Sequence, residues 1–367
     1  MLAFVRRHGS LSRAELARRT RLSLPTVAAI VRDLERDGLV RVLAGEARAG
    51  AVGRPSPQVE LNPGGAYVLA LDIGATVTRM ALVDLLGTPV REESVPTPRG
   101  GAKASVRALR ALVEGLAAHV DRGRLRGAAI GVPGYVTADR RTVAYASNLP
   151  GWRDLALADA LEETLGVPCV LDNDVNMAAI GEGQFGVARS VADYVYLDLG
   201  TGIGAGVVVN GRLHRGAHGL GGELSLAAVP GRARRRHRSI ECDSAGWALR
   251  RHARRLGYDD VPALFAAAAA GDARAARVLG RATDTLALAI ANMCSVLDPA
   301  LVVLGGGLAR QDAWLDATRR LLAERLPYPP RVERTLLAGR AAVLGAAAVA
   351  LDLFSQAPMT AFGGGEG

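Results

Sequence analysis

The chain has 367 residues, 49% of them hydrophobic, a formal net charge of +9 and three cysteines. That length supports two or three domains with cores of their own, and the apolar content excludes large-scale disorder. Cys169, Cys242 and Cys294 make neither a disulfide framework nor a paired-cysteine metal motif, and the N-terminus has no signal-peptide pattern, so a reduced, soluble, cytoplasmic protein is expected.

No apolar run reaches the roughly 20 residues of a bilayer span, and the best candidate, Leu286–Leu297, stops at Asp298-Pro299. The basic charge needs care, because Lys103 is the single lysine among 45 Lys and Arg residues. Such a bias reflects a GC-rich coding sequence as readily as a nucleic-acid partner. Distribution is more informative: residues 1–60 hold 11 arginines against six acidic residues, so about +5 comes from one sixth of the chain.

Within that basic segment Ser12-Arg13-Ala14-Glu15 is a capping box, which predicts a helix to about Arg19. Ser23 can cap a second helix, with Pro25 tolerated in its first turn. Val27, Ile30, Val31 and Leu34 give that helix one apolar face. Asp37-Gly38 ends it, Leu39–Leu43 reads as a strand, and Gln58–Leu61 is its partner beyond a Gly/Pro-rich tip containing Gly53-Arg54-Pro55. Two helices and a basic hairpin over residues 1–62 predict a winged helix-turn-helix that binds operator DNA. Arg13, Ser23, Thr26, Arg32 and Arg54 are the candidate contacts. Leu24, Ala28 and Ala29 cannot hydrogen-bond through their side chains, so base readout by this helix is thin and Arg13, Arg54 and the wing take a larger share. A small helical domain that binds protein is the alternative.

The remaining residues alternate strands and helices, an α/β pattern with a faint internal repeat. Leu71–Ala75 and Leu197–Thr201 are each an Asp/Gly-rich turn between two strands, the second strands being Thr78–Val83 and Gly204–Asn210. Glycine in such turns leaves backbone N–H groups open to phosphate oxygens. A third glycine turn, Leu304–Leu308, comes after the strand Leu301–Leu304, where α/β sheets commonly bind ligands. Asn173 and Asp174 come after the strand Cys169–Leu171 and open a helix. There Asp174 either accepts a proton from a substrate hydroxyl or simply caps the helix. Arg232–Arg238 packs five arginines around His237, as a nucleic-acid patch, a solvated loop or an anion contact.

Taken together these segments resemble the ROK family of sugar kinases and repressors. Asp72, Gly74 and Thr76 fit its first phosphate loop, and Gly200–Gly206, with Gly202 and Gly204, its second. Gly305 and Gly306 fit the adenosine-side turn. Gly131–Gly134 and Ser147–Trp152, including Asn148, are similar to its sugar-side loops. The resemblance places Asp174 at the general-base position beside Asn173, and Glu223 and Glu241 at positions that hydrogen-bond sugar hydroxyls. It implies a two-lobed, actin-like (ribonuclease H-like) α/β fold. Lobe 1 then covers 65–184 and is completed by a helix at 340–354, lobe 2 covers 185–339, and 355–367 is a disordered tail. The family's zinc-binding histidine and cysteines fall on Leu226, Arg232, Arg234 and Ser239, which lack the needed donors, so no zinc is expected. The resemblance also implies a longer first helix, so that either Met1 is an internal start or the helix is short and packs through Leu2 and Val5.

An N-terminal DNA-binding domain marks the repressor branch, and a sugar-responsive repressor is the leading expectation. It would be a homodimer or homotetramer, respond to a sugar or phosphosugar, need no cofactor and have no membrane partner. An ATP-dependent sugar kinase with a DNA-binding head is the alternative, with Asp174 as base and ATP with Mg²⁺ bound at the glycine turns. A third reading is a regulator that answers to a protein partner.

Overall fold

The first helix, Leu2–His8, buries Leu2 and Val5. Their burial gives a seven-residue helix the packing it needs. Helix Arg13–Thr20 starts at Ser12, whose hydroxyl accepts the Glu15 N–H at 3.2 Å. The predicted capping box closes on one side only, because the Glu15 carboxylate pairs with Arg18 and Arg19. Helix Leu24–Arg36 starts at Ser23, which accepts the Thr26 N–H. Val27, Val31 and Leu34 of that helix are buried, whereas Ile30 is half-buried. Strands Leu11–Ser12, Gln58–Leu61 and Val40–Leu43 form an antiparallel sheet in that order. The predicted hairpin is thus present, with the first arm beginning one residue later than its sequence suggests.

The computed structural model describes residues 1–44, 56–146, 149–229 and 238–356. It divides into two bodies: Met1–Asp172 with the C-terminal stretch from Ala346, and Asn173–Gly345. In the first body the helix-turn-helix head is bonded to the segment between its last strand and the large sheet. The Asn62 side chain donates to the Gly38 carbonyl at 2.7 Å, and its N–H donates to Leu39 at 2.9 Å. A Cβ at Gly65 would lie 2.2 Å from the Gly38 oxygen, so this approach requires glycine. Arg6 of the first helix pairs with Asp352.

Beyond the head, the first body holds a five-stranded sheet ordered Cys169–Asn173, Leu125–Val132, Tyr67–Ile73, Val77–Asp84, Pro89–Pro96. Tyr67–Ile73 pairs parallel with Leu125–Val132 and antiparallel with Val77–Asp84. Helices Ala102–Ala117 and Leu157–Leu165 bury Leu109, Val113, Leu157 and Leu161 with Trp152 against it.

The second body repeats the plan. Its sheet is ordered Arg212–Leu213, Ile203–Val209, Tyr194–Leu199, Leu301–Gly305, Arg331–Arg334. Tyr194–Leu199 again pairs antiparallel with the next strand in sequence and parallel with a later one. This matches the repeat of Asp/Gly turns and the ribonuclease H-like class. Two boundaries differ from the sequence reading. Helix Asp174–Phe185 belongs to the second body, because Val175 and Ala179 pack on Gly204 and Gly206, so the division falls at 173 rather than 185. The last helix, Ala341–Gln356, extends through Ser355 and Gln356, two residues into the stretch expected to be tail. Its composition would allow a membrane span more readily than Leu286–Leu297 does. Yet Val343, Ala346, Ala347, Ala350 and Leu351 are buried, as in a core helix.

Candidate functional site

On the head, residues 21–26 are exposed, so Ser23 and Thr26 lie open at the start of helix Leu24–Arg36, and Arg32 is exposed nearly two turns further on. The Ser23 hydroxyl is shared between the Thr26 N–H and the Thr26 hydroxyl, 2.7 Å away. Leu22 and Leu24 are exposed beside them, which gives this surface an apolar component suited to thymine methyl groups. Arg13 is half-buried and its Nε is enclosed without a hydrogen-bond partner. Arg54 lies outside the described residues.

In the first body, the turn after Tyr67–Ile73 is held by backbone bonds. Gly74 N–H donates to Val77, and the Thr97 hydroxyl donates to the Gly74 carbonyl at 2.7 Å. Thr76 is exposed at its tip. Asp72 is 6% exposed, and Arg79, its register partner on the next strand, brings Nη1 within 3.6 Å of the carboxylate. Arg79 was missed from sequence, although hairpin register alone puts it opposite Asp72. Asn148 of the sugar-side loop lies outside the described residues.

In the second body, strand Ile203–Val209 collects the predicted groups. Val175, next to Asp174, packs on Gly204. Ala205 N–H donates to the Gly222 carbonyl at 3.0 Å, which fixes Glu223 beside the strand. Ile203 N–H donates to Glu241 Oε1 at 2.8 Å, where a Cβ on Gly202 would lie 2.6 Å from the same oxygen. Asn173 accepts the N–H groups of Val175 and Asn176 and is therefore the helix cap. That role does not fall to Asp174, whose half-buried carboxylate accepts the adjacent Val175 N–H at 2.9 Å. Burial raises the pKa of Glu223; the Glu241 charge adds to the rise, and the Ser225 hydroxyl, donating at 3.2 Å, opposes it. Two carboxylates close enough to feel each other, one partly desolvated, form an acceptor set suited to hydroxyl groups.

The third glycine turn has a packing reason of its own. A Cβ on Gly305 would overlap the Tyr196 hydroxyl, and Gly306, at φ +80°, lies against the Leu199 backbone. The fold requires both glycines whether or not a nucleotide binds. Of the positions that the resemblance assigns to zinc ligands, Leu226 is exposed and its side chain carries no donor atom, and the Ser239 oxygen accepts the Glu241 N–H at 3.2 Å. Arg232 and Arg234, with the rest of the arginine run up to His237, lie outside the described residues.

Known proteins share this organisation. The ROK family model matches residues 68–353, and a winged helix-turn-helix DNA-binding model matches residues 1–41. A putative xylose repressor of Caldicellulosiruptor sp. is 26% identical over 94% of this chain and 92% of its own. A bifunctional enzyme NanE/NanK of Brucella suis is 34% identical over 78% of this chain, which spans 54%, about half, of that relative's length. A solved ROK family transcriptional regulator, a homolog of the E. coli MLC protein, superposes with a TM-score of 0.81 at 23% identity, covering 94% of this chain and 92% of its own. The head and the doubled five-stranded sheets together explain both matches: the chain belongs to the ROK family and carries the family's body behind a winged helix-turn-helix DNA-binding domain.

Proposed function

We propose that this protein is a sugar-responsive transcriptional repressor: the head binds operator DNA, and a sugar or phosphosugar binds at Asn173, Asp174, Glu223 and Glu241. The observation that carries the reading is the fixed seam between head and body. Asn62, Gly65 and the Arg6–Asp352 pair tie the DNA-reading helices to the first body. Helix Ala341–Gln356 starts in the second body and carries Asp352 in the first. A ligand that prefers one arrangement of the second body thereby biases the head, and differential affinity is all the mechanism needs. In a homodimer the bias changes the spacing of two heads over paired half-sites.

The Arg79–Asp72 pair supports a sensor over a kinase, since a guanidinium already matches the carboxylate charge in the first glycine turn. Glu241 Oε1 accepts the Ile203 N–H, which holds its carboxylate beside the second glycine turn. Under the kinase reading, Asp174 would take the sugar hydroxyl's proton, and ATP with Mg²⁺ would supply the phosphoryl group.

The test is operator binding by the purified protein, with and without a panel of sugars and phosphosugars, and then a phosphate-transfer assay with ATP and Mg²⁺. Release by one class of sugar without turnover is the expected result. Turnover at ordinary kinase rates would replace the proposal with the kinase reading, and indifference to every sugar would leave a protein partner as the signal.

A further inference from the structure

Helix Gly246–Leu256 has two contrasting faces. Ala248, Leu249 and Ala253 are buried. Trp247, Arg250, Arg251, Arg254 and Arg255 recur at i, i+3, i+4, i+7 and i+8, so burial of the first face holds these five outward. The four arginines are exposed, and with Trp247 they line a hollow of about 370 Å³. None of the four guanidiniums makes a hydrogen bond or ion pair among the described residues; Arg251 instead lies over the Trp247 ring, 5.4 Å from its centroid. Some arginines elsewhere are matched, Arg141 with Asp159 and Glu162 and Arg319 with Asp316 and Glu333 among them. On this face Arg250 and Arg254, and Arg251 and Arg255, are like-charged i, i+4 neighbours, which oppose the helix unless an anion lies between them. Burial, then the charges of Arg251 and Arg255, push the pKa of His252 down.

The face also has a defined neighbour. The start of the helix is docked on the second glycine turn, with Gly246 N–H donating to Gly200 and Trp247 N–H to Thr201, each at 3.1 Å. Arg250 Nη1 lies 3.5 Å from where a Gly246 Cβ would be, so the arginines begin beside that turn.

We propose that this arginine face is a binding site for a compact polyphosphate anion, such as a free triphosphate or the triphosphate of a nucleotide. Charge density selects that class. Arg250 and Arg255 are about 7.5 Å apart along the helix axis, and over that rise one DNA strand offers only about two phosphates. A triphosphate places three or four charges in the same length, and guanidinium forks grip phosphate oxygens in pairs. The site goes beyond sugar sensing and has its own readout.

Trp152 and Trp314 are 1% and 3% exposed, which leaves Trp247 as the accessible tryptophan. Full-length protein titrated with sodium tripolyphosphate should show saturable calorimetric binding and a change in tryptophan emission. Affinity should exceed that for orthophosphate by about tenfold or more at matched ionic strength. ATP and tripolyphosphate should compete if the phosphate chain is what is read. Arg250→Ser with Arg254→Ser should lose about tenfold or more, while the paired Arg→Lys variant recovers part of it. No saturable binding of tripolyphosphate by the unmodified protein, or equal affinity for orthophosphate, would overturn the proposal. So would displacement of tripolyphosphate by a lower concentration of random duplex DNA, which would make this a nucleic-acid surface.

Discussion

Replacing Glu241 by alanine removes the acceptor that fixes the second glycine turn, and its effect can be worked out in advance. The bond from Ile203 N–H to Glu241 Oε1 is 2.8 Å long, and Ile203 is 4% exposed. A hydrogen bond to a charged group contributes roughly 1.5–3 kcal/mol, and an N–H left buried without a partner costs about 1–3 kcal/mol. Since about 1.4 kcal/mol is a tenfold change, amide exchange in the segment containing Ile203 should speed up by roughly tenfold to a hundredfold in Glu241→Ala. Glu241→Gln keeps an oxygen acceptor and loses only the charge, so it should show about half that effect in free energy. Hydrogen–deuterium exchange read peptide by peptide is the assay, with helix Arg13–Thr20 in the other body as the internal control. Effector binding should weaken in the alanine variant along with the loosening of the turn. Unchanged exchange at Ile203, or equal exchange in the alanine and glutamine variants, would refute the idea that this bond fixes the second glycine turn.

Other perturbations act through the same kinds of contact. Gly65→Ala forces a Cβ to within 2.2 Å of a backbone oxygen, so overpacking should lower stability by about 1–3 kcal/mol, and limited proteolysis between head and body should accelerate; an unchanged denaturation midpoint would contradict this. Glu223 has a pKa raised by burial, so its stabilising protonation is fully present below the unfolded value of about 4.5 and is lost as pH rises through the higher folded value. Glu223→Gln should therefore be relatively more stable than the parent at neutral pH, with the difference shrinking on acidification, as tracked by urea unfolding between pH 4 and about 7. Arg32→Ala should weaken binding to all DNA sequences alike and reduce the salt slope by about one, whereas Ser23→Ala should cost about 1 kcal/mol in helix capping and be seen in thermal melts of the head.

The local chemistry of the head is written in its sequence. Ser12 and Ser23 cap helices because a short hydroxyl side chain can reach the unpaired N–H groups of a first turn, and the spacing of Val27, Val31 and Leu34 makes one face apolar whatever surrounds it. The repeated Asp/Gly turns likewise announced two related sheets, since alternation of strand and turn is a local pattern. Other features needed the tertiary structure. Helix Asp174–Phe185 joined the second body because Gly204 and Gly206 leave room for it, a contact that no periodicity within the helix encodes. The partner of Glu241 is a backbone N–H 38 residues earlier, and every residue except proline offers such a group, so sequence cannot single one out. The arginines of Gly246–Leu256 recur at helical spacing, a pattern the sequence reading passed over, and that they have no counter-charge among the described residues is a property of what the fold places around them. Sequence determined which groups are present and which local bonds they can make; folding decided which of them meet, because charge pairing, burial and close backbone approach depend on distances between segments far apart in the chain.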